Sequence, residues 1–381
     1  MASKKRPSSR PRAEPSPPLP AAERGGSDEA KATPSTSKKK KAAQRPAARV
    51  VAVTGAFGNL GRRLLQRLEA DDTVDRIVAL DVKSGAALLD DDDSPGDVLK
   101  DHPKLSAHHL DLTDPGAERD LAQVLSNEGV QGLFHLAFLS TPTHAMEMAH
   151  ELETVGTHYV LNAAKSAGVA RVVSLSSTMC YGARPDNPAF LTEDHPLRPP
   201  PSRSLRDKAD ADEQVRKFAV DCPDVDVAVA RVGALLPTAR DHFWTRFFQR
   251  PAVPAVLGYD PLLQFVHPDD AALALHLLWA QRARGVYNVV SASQLPFSHI
   301  LTHLKKVPIY LPAKLGQSLV RALWSAQLVE MPQHFWGFLR WPWLCDGTKI
   351  QSQVGFTPQH DLLSILNILS SQKAPKQGGP A

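Results

Sequence analysis

The chain has 381 residues, 43 % of them hydrophobic and 22 % charged, with a formal net charge of +4, enough apolar material for one large core or two ordinary ones. No apolar run reaches the roughly 18 residues of a membrane span, charges and prolines stand where a secretory signal would be apolar, and Cys180, Cys222 and Cys345 form no CxxC pair. These features argue against a transmembrane segment, a signal peptide, a disulfide framework and a zinc knuckle; a cytoplasmic protein with reduced thiols is expected.

Residues 1–48 hold 12 Lys plus Arg against 4 Asp plus Glu, a local +8 that leaves −4 for the remainder. This stretch is rich in Pro, Ser, Ala and Lys, with KKKK at 38–41, and reads as a disordered basic tail. Such a tail is usually only solvated; contact with nucleic acid or an anionic surface is the alternative. From Val50 the pattern changes. RVVAVTG is a β-branched strand and NLGRRLLQRLEA carries apolar residues at helical spacing. RIVALD is a second strand, LSAHHLDL a third, AERDLAQVLSNEG a helix and GLFHLAF a fourth strand. One long helix is predicted through MEMAHELETVGTHYVLNAAKSAG, then strand RVVSLSS, helix DKADADEQVRKFAVDC and strand VDVAVARV. Strands alternating with helices in this way predict an α/β fold, a doubly wound parallel sheet with helices on both faces. The acidic run Asp90–Asp93 reads as a solvated loop. Beyond about residue 236 the alternation stops and prolines become frequent, which predicts a small mixed region over the carboxyl edge of the sheet, where ligands of such folds bind.

TGAFGNLG at 54–61 joins the first strand to the first helix. Gly55 permits the tight turn, Gly58 opens the backbone to a pyrophosphate and Gly61 lets helix and strand pack, with Phe57, Asn59 and Leu60 completing the cradle at the helix N-terminus. Asp81 ends the second strand, where a carboxylate accepts from a ribose 2′-hydroxyl. It would repel a 2′-phosphate, so NAD is expected, with Lys83, Arg62 and Arg63 leaving NADP as the alternative.

With LDLTD, FHLAF, VGTHYVLNAAKSAGVARVVSLSSTMCYG, FVHPDDAALAL and GVYNVV following in order, the chain from about 49 to 360 resembles the extended short-chain dehydrogenase/reductase family, the NAD-dependent epimerase/dehydratase group that includes UDP-sugar 4-epimerases. The resemblance implies a Rossmann-type domain at 49–235, a substrate-binding region at 236–370 and a disordered tail at 371–381. It puts Asp111 and Leu112 at the adenine, Leu136 and Ala137 beneath the cofactor, Ser177 as the active-site hydroxyl and Lys208 on the nicotinamide ribose. It also implies a small-molecule substrate, a sugar nucleotide or another hydroxy compound, and a homodimer paired through the helices at 144–167 and 205–222.

The family moves a proton with the tyrosine of a Tyr-x-x-x-Lys helix turn, whose phenol the lysine acidifies. Here that position holds Ser204, an alkyl hydroxyl too weakly acidic for the task; it is expected to cap a helix, with Asp207 three residues on. Replacements to weigh are Tyr181, a relay through Asp207 or His195, or the substrate itself. The family asparagine before VGT is Glu153, and the arginine expected before FVH to hold a diphosphate is replaced, Leu263 and Gln264 standing there. A protein that binds the cofactor without turnover, a scaffold or sensor, is therefore the alternative to an enzyme. Cys180 is expected to be a packed thiol. Trp324, Trp336, Trp341 and Trp343 crowd one C-terminal segment and are expected to pack as a lid, with a greasy binding surface as the alternative. His299 and His303 share helical spacing but have no third ligand, so no metal is expected.

Overall fold

The computed structural model describes residues 49–82, 103–237, 242–329 and 331–372. The basic tail, Lys83, the Asp90–Asp93 stretch and residues 373–381 lie outside them.

β1 (Val50–Thr54) and β2 (Arg76–Asp81) flank α1 (Asn59–Glu69), whose Leu60, Leu64, Leu65 and Leu68 form one buried stripe. β3 (Leu105–His109), α2 (Ala117–Asn127) and β4 (Gly132–His135) follow. The predicted long helix runs from Met146 to Ser166 with one irregularity: α3 (Met146–His150) and α4 (Gly156–Ser166) are joined by a π-helical turn at Glu151–Val155. The extra residue of such a turn shifts the helical phase, and here Glu153 is fully buried although its neighbours Leu152 and Thr154 are only partly so. β5 (Arg171–Ser177), α5 (Arg203–Asp221) and β6 (Asp226–Val232) complete the alternation. α5 starts four residues before the predicted DKAD segment, which moves Ser204 from the expected cap into the first turn; Ser202 is the N-cap.

Further along come β7 (Ala234–Leu235), α6 (Phe243–Gln249), β8 (Ala252–Val256), β9 (Leu262–Leu263), β10 (Phe265–Val266), α7 (Pro268–Ala280) and β11 (Gly285–Val289). β12 (Leu295–Pro296), α8 (Phe297–His303), β13 (Val307–Leu311), α9 (Ala313–Ser325), α10 (Phe335–Phe338), α11 (Thr348–Val354) and α12 (Leu362–Ser371) close the chain. Ser371, placed by the sequence reading in a disordered tail, is thus the last helical residue.

The seven-stranded sheet has the order β3-β2-β1-β4-β5-β6-β11, and every pairing is parallel. Its order reverses between β1 and β4, so their carboxyl ends open a crevice. β11 is supplied from beyond residue 236, so the sheet does not end where the first domain was expected to. α7 lies on α1: Arg67 donates to the Asp269 carbonyl at 3.1 Å, His276 Nε2 meets Asp71 Oδ2 at 2.7 Å, and Arg63 pairs with Asp269. One apolar cluster runs without a break from Val51 and Leu64 through Phe248 and Phe265 to Leu366. Among the described residues no helix is long and apolar enough to cross a membrane.

Candidate active site

At the crevice, Gly55 takes φ +67° directly after β1, and a Cβ there would stand 2.8 Å from the Leu136 and Ala137 backbone. Gly61 is tighter still, since its Cβ would meet the Gly55 carbonyl oxygen at 2.3 Å; only glycine lets α1 seat on the turn. Gly58, exposed at the N-cap of α1, has just one neighbour for a Cβ, the Gly55 oxygen at 3.4 Å. Packing therefore does not demand glycine at 58, and the approach to the helix N-terminus is open there. Asp81 Oδ2 accepts the Phe57 amide at 2.9 Å, which ties the turn to the end of β2. The arrangement fits a dinucleotide pyrophosphate and its ribose.

A cavity of about 670 Å³ opens beside this turn. Gly55, Phe57, Gly58, Asn59, Leu60, Gly61, Leu136, Ser177, Ser204 and Lys208 all line it, so the structure gathers most of the predicted residues at one place. Ala137 follows Leu136 without being a lining residue. Asp111 and Leu112 are also outside the cavity: Asp111 Oδ1 accepts from the Thr113 amide at 2.9 Å and hydroxyl at 2.7 Å, and Leu112 is buried in a second apolar cluster. Those two hydrogen bonds hold the Asp111 carboxyl below the usual carboxylate range.

Ser177 closes β5 and its Oγ accepts the Met179 amide at 3.2 Å. Lys208 Nζ donates to the Leu139 carbonyl at 2.9 Å, pairs with Glu153 Oε1 and lies 5.4 Å above the Phe138 ring. Glu153 also accepts the Leu139 amide at 3.1 Å, while its Oε2 is buried with no hydrogen-bond partner. Burial pushes the Glu153 carboxyl up, and the Lys208 charge pulls against that shift. Lysine thus faces a carboxylate from the π-turn where the family resemblance would give it a phenol. Pattern reading found Glu153 as a departure; its pairing with Lys208 depends on a helical phase that residue spacing did not reveal.

Tyr181 is elsewhere. Its side chain is fully buried away from the cavity, its hydroxyl donates to Asn288 Oδ1 at 2.9 Å, and Arg231 Nη1 donates to that hydroxyl at 2.9 Å. Burial raises its pKa beyond any use near neutrality, so its assignment as a catalytic residue is corrected to a core tie. The other proposed relays do not reach the cavity lining either. Asp207 Oδ1 bonds His150 Nδ1 at 2.9 Å, and His195 lies against Arg198 at 3.3 Å. Cys180 is fully buried and burial lifts its thiol to about 12, an inert packed sulfur.

Other side chains reach the cavity from beyond residue 236. His242, Phe243, Trp244, His334 and Phe335 form a wall that no motif announced. The four C-terminal tryptophans do not make one greasy surface. Trp336 and Trp343 are buried, Trp324 stacks on His144 at 3.8 Å and Trp341 meets Tyr259 edge-on at 5.2 Å. His267, Asp269 and His360 also converge unannounced, within 4.8 Å. Asp269 is engaged by Arg63, and His267 Nδ1 accepts the Asp269 amide at 3.2 Å; this is a knot between α1, α7 and the segment before α12.

The topology and the glycine turn define a dinucleotide-binding α/β protein. The chain belongs to the NAD-dependent epimerase/dehydratase family, whose model matches residues 51–290, and NAD is that family's cofactor. An uncharacterised protein of Mycobacterium bovis is 26 % identical over 315 residues, covering 82 % of this chain and 80 % of its own. A 3-diazoavenalumate denitrifying reductase of a Streptomyces species is 28 % identical over 199 residues, 49 % of this chain and 64 % of the reductase. Among solved structures, a dTDP-glucose 4,6-dehydratase of Streptomyces venezuelae with NAD superposes at a TM-score of 0.64 with 22 % identity, covering 84 % of this chain and 95 % of the other; that likeness shows the fold.

Proposed function

We propose that the chain is an NAD-dependent oxidoreductase of the epimerase/dehydratase type that acts on a hydroxyl- or carbonyl-bearing small molecule. The observation that carries this reading is that Ser177 and Lys208 line the same cavity as the Gly55–Gly61 turn. When bound, NAD supplies hydride acceptance and return. Gly55 to Gly61 would hold its pyrophosphate and Asp81 a ribose, with NAD favoured over NADP; Lys208 would hold the nicotinamide ribose. Ser177 would hydrogen-bond the substrate oxygen. The similar Streptomyces protein is named as a reductase, which supports redox chemistry on this scaffold. A homodimer through the outer faces of α4 and α5, in the cytoplasm, completes the reading.

The test is substrate-dependent appearance of NADH absorbance in the purified protein supplied with NAD and a panel of sugar nucleotides, sterols and other alcohols. Ser177→Ala is expected to lower the rate by ~10²–10⁴ with the melting temperature nearly unchanged; Lys208→Ala is expected to lower the rate to a similar degree and also the melting temperature, because it leaves the buried Glu153 without its cation. One observation favours a second reading, cofactor binding without turnover: Ser204 stands one turn before Lys208, and Tyr181 is locked in the core. Tight NADH binding with no reduction of NAD across the panel would establish that reading.

A further inference from the structure

We infer that the substrate half of the cavity takes a flat apolar or aromatic alcohol or carbonyl compound and excludes nucleotide-linked ones; this rests on the hydride-transfer reading above.

The cavity has two unlike sides. On the first, the glycine turn and the start of α1 present backbone N–H groups with Arg62 and Arg63. On the second, Met179, Leu235, Phe243, Trp244 and Phe335 present apolar surface. The rings are packed against one another: Phe243 and Phe335 have centroids 4.1 Å apart, Phe243 and Trp244 5.2 Å, Trp244 and Phe335 5.6 Å. All three are at least nine-tenths buried. A preformed aromatic wall of this kind binds a ring by offset or edge contact and has few charges to offer.

Charge among the described residues argues against a diphosphate. Among the described lining residues the lysines and arginines are Arg62, Arg63 and Lys208. Arg62 and Arg63 belong to α1 at the glycine turn, and Arg63 is paired with Asp269. Lys208 is paired with Glu153. A nucleoside diphosphate brings about two negative charges that need charge-assisted donors, and an unpaired charge in such a site is strongly disfavoured. The chain position from which the family resemblance would supply an arginine is closed as well. Leu263 is fully buried, and both ends of the Gln264 amide are used internally: Nε2 donates to the Ser291 carbonyl at 2.7 Å, and Oε1 accepts the Cys345 amide at 3.1 Å.

The polar groups that remain suit a neutral ligand. Ser177 offers a hydroxyl to the reacting oxygen. His334 lines the cavity beside Phe335, their rings 5.0 Å apart, and burial lowers its imidazole to about 4, so that it is neutral. A neutral imidazole both donates and accepts one hydrogen bond, which matches a phenol, hydroxyl or ketone at the far end of a ring system.

The test follows NADH fluorescence of the full-length protein preloaded with NADH. Benzaldehyde, cinnamaldehyde and 2-naphthaldehyde are titrated in, and UDP and UDP-glucose are titrated separately and in competition. A saturable change with at least one aldehyde, undisturbed by UDP or UDP-glucose, is the expected result. Phe335→Ala should weaken that aldehyde by about tenfold or more and leave NADH affinity within about twofold. Phe335→Leu, which keeps apolar volume and loses the ring, gives the same direction should the alanine variant fail to fold. Saturation by UDP-glucose with displacement of the aldehydes overturns the inference, as does saturation by none of the aldehydes in a protein that binds NADH. Failure to bind NADH is a different outcome, and it removes the hydride-transfer reading together with this one.

Discussion

Tyr181 shows how much one side chain's surroundings decide. By motif it stands beside the active serine, four residues after Ser177; by position it closes a buried network. Arg231 grips Asp212 through Nε at 2.9 Å and Nη2 at 2.8 Å, Ser176 donates to Asp212 at 2.7 Å, and the Tyr181 hydroxyl bridges Arg231 to Asn288. Tyr181→Phe leaves the Asn288 oxygen and one Arg231 donor short of a partner. It should cost ~1–3 kcal/mol of stability, read as a fall in urea midpoint, with turnover and NADH affinity unchanged at a temperature where the variant is folded. A rate lost at unchanged stability would restore Tyr181 to the chemistry. Ser177, Lys208 and the vacated tyrosine position were legible only through the family resemblance, which the ordered motifs carry. The partners of Tyr181 and Lys208 were not, because Asn288 and Glu153 are remote in the chain and only folding brings them into contact.

At the level of elements, the glycine turn gives two substitutions with opposite outcomes. Gly58→Ala has room inside the protein and should fold normally while weakening NADH binding by tenfold or more, since the methyl stands where phosphate must approach. Gly61→Ala drives a methyl into the Gly55 and Ala56 carbonyls and should lower the melting temperature outright; calorimetry and NADH titration separate the two. His135 is the tie between β1, β4 and α4, with Nδ1 2.9 Å from Thr54 Oγ1 and Nε2 3.0 Å from Thr157 Oγ1. Complete burial holds its pKa down to about 3. The unfolded chain therefore binds the extra proton first, from about pH 6.5 downward. Stability should be constant with respect to this group above that pH and fall progressively as pH drops toward 3. At pH 5 the loss from His135 alone is about 2 kcal/mol, and His267 and His334, both lowered to about 4, add in the same direction. Melting temperatures across this range should show the slope, and His135→Gln should reduce it while leaving the part that His267 and His334 contribute.

For the molecule as a whole, the region after residue 236 is a structural partner of the sheet as well as a cover for the cavity. β11 supplies the edge strand beside β6, and α7 buries Ala271, Ala272, Leu275 and Leu278. A chain ending at residue 235 would leave β6 unpaired on one side and the Leu64 face of α1 uncovered. It should show no cooperative thermal transition, whereas residues 49–372 should melt as the full chain does; a truncated chain that unfolds cooperatively would show the first part to be self-sufficient. The sequence by itself determined the alternating strands and helices and the glycine turn, because strand period, turn chemistry and helix spacing are written over a few adjacent residues; Ser177 and Lys208 came from the family resemblance. Tertiary structure alone decided that Glu153 faces Lys208, that Tyr181 is spent on the core and that Phe243, Trp244 and Phe335 wall the cavity. Those outcomes depend on helical phase and on contacts between distant segments, where burial and hydrogen-bond satisfaction, not local pattern, set which group meets which.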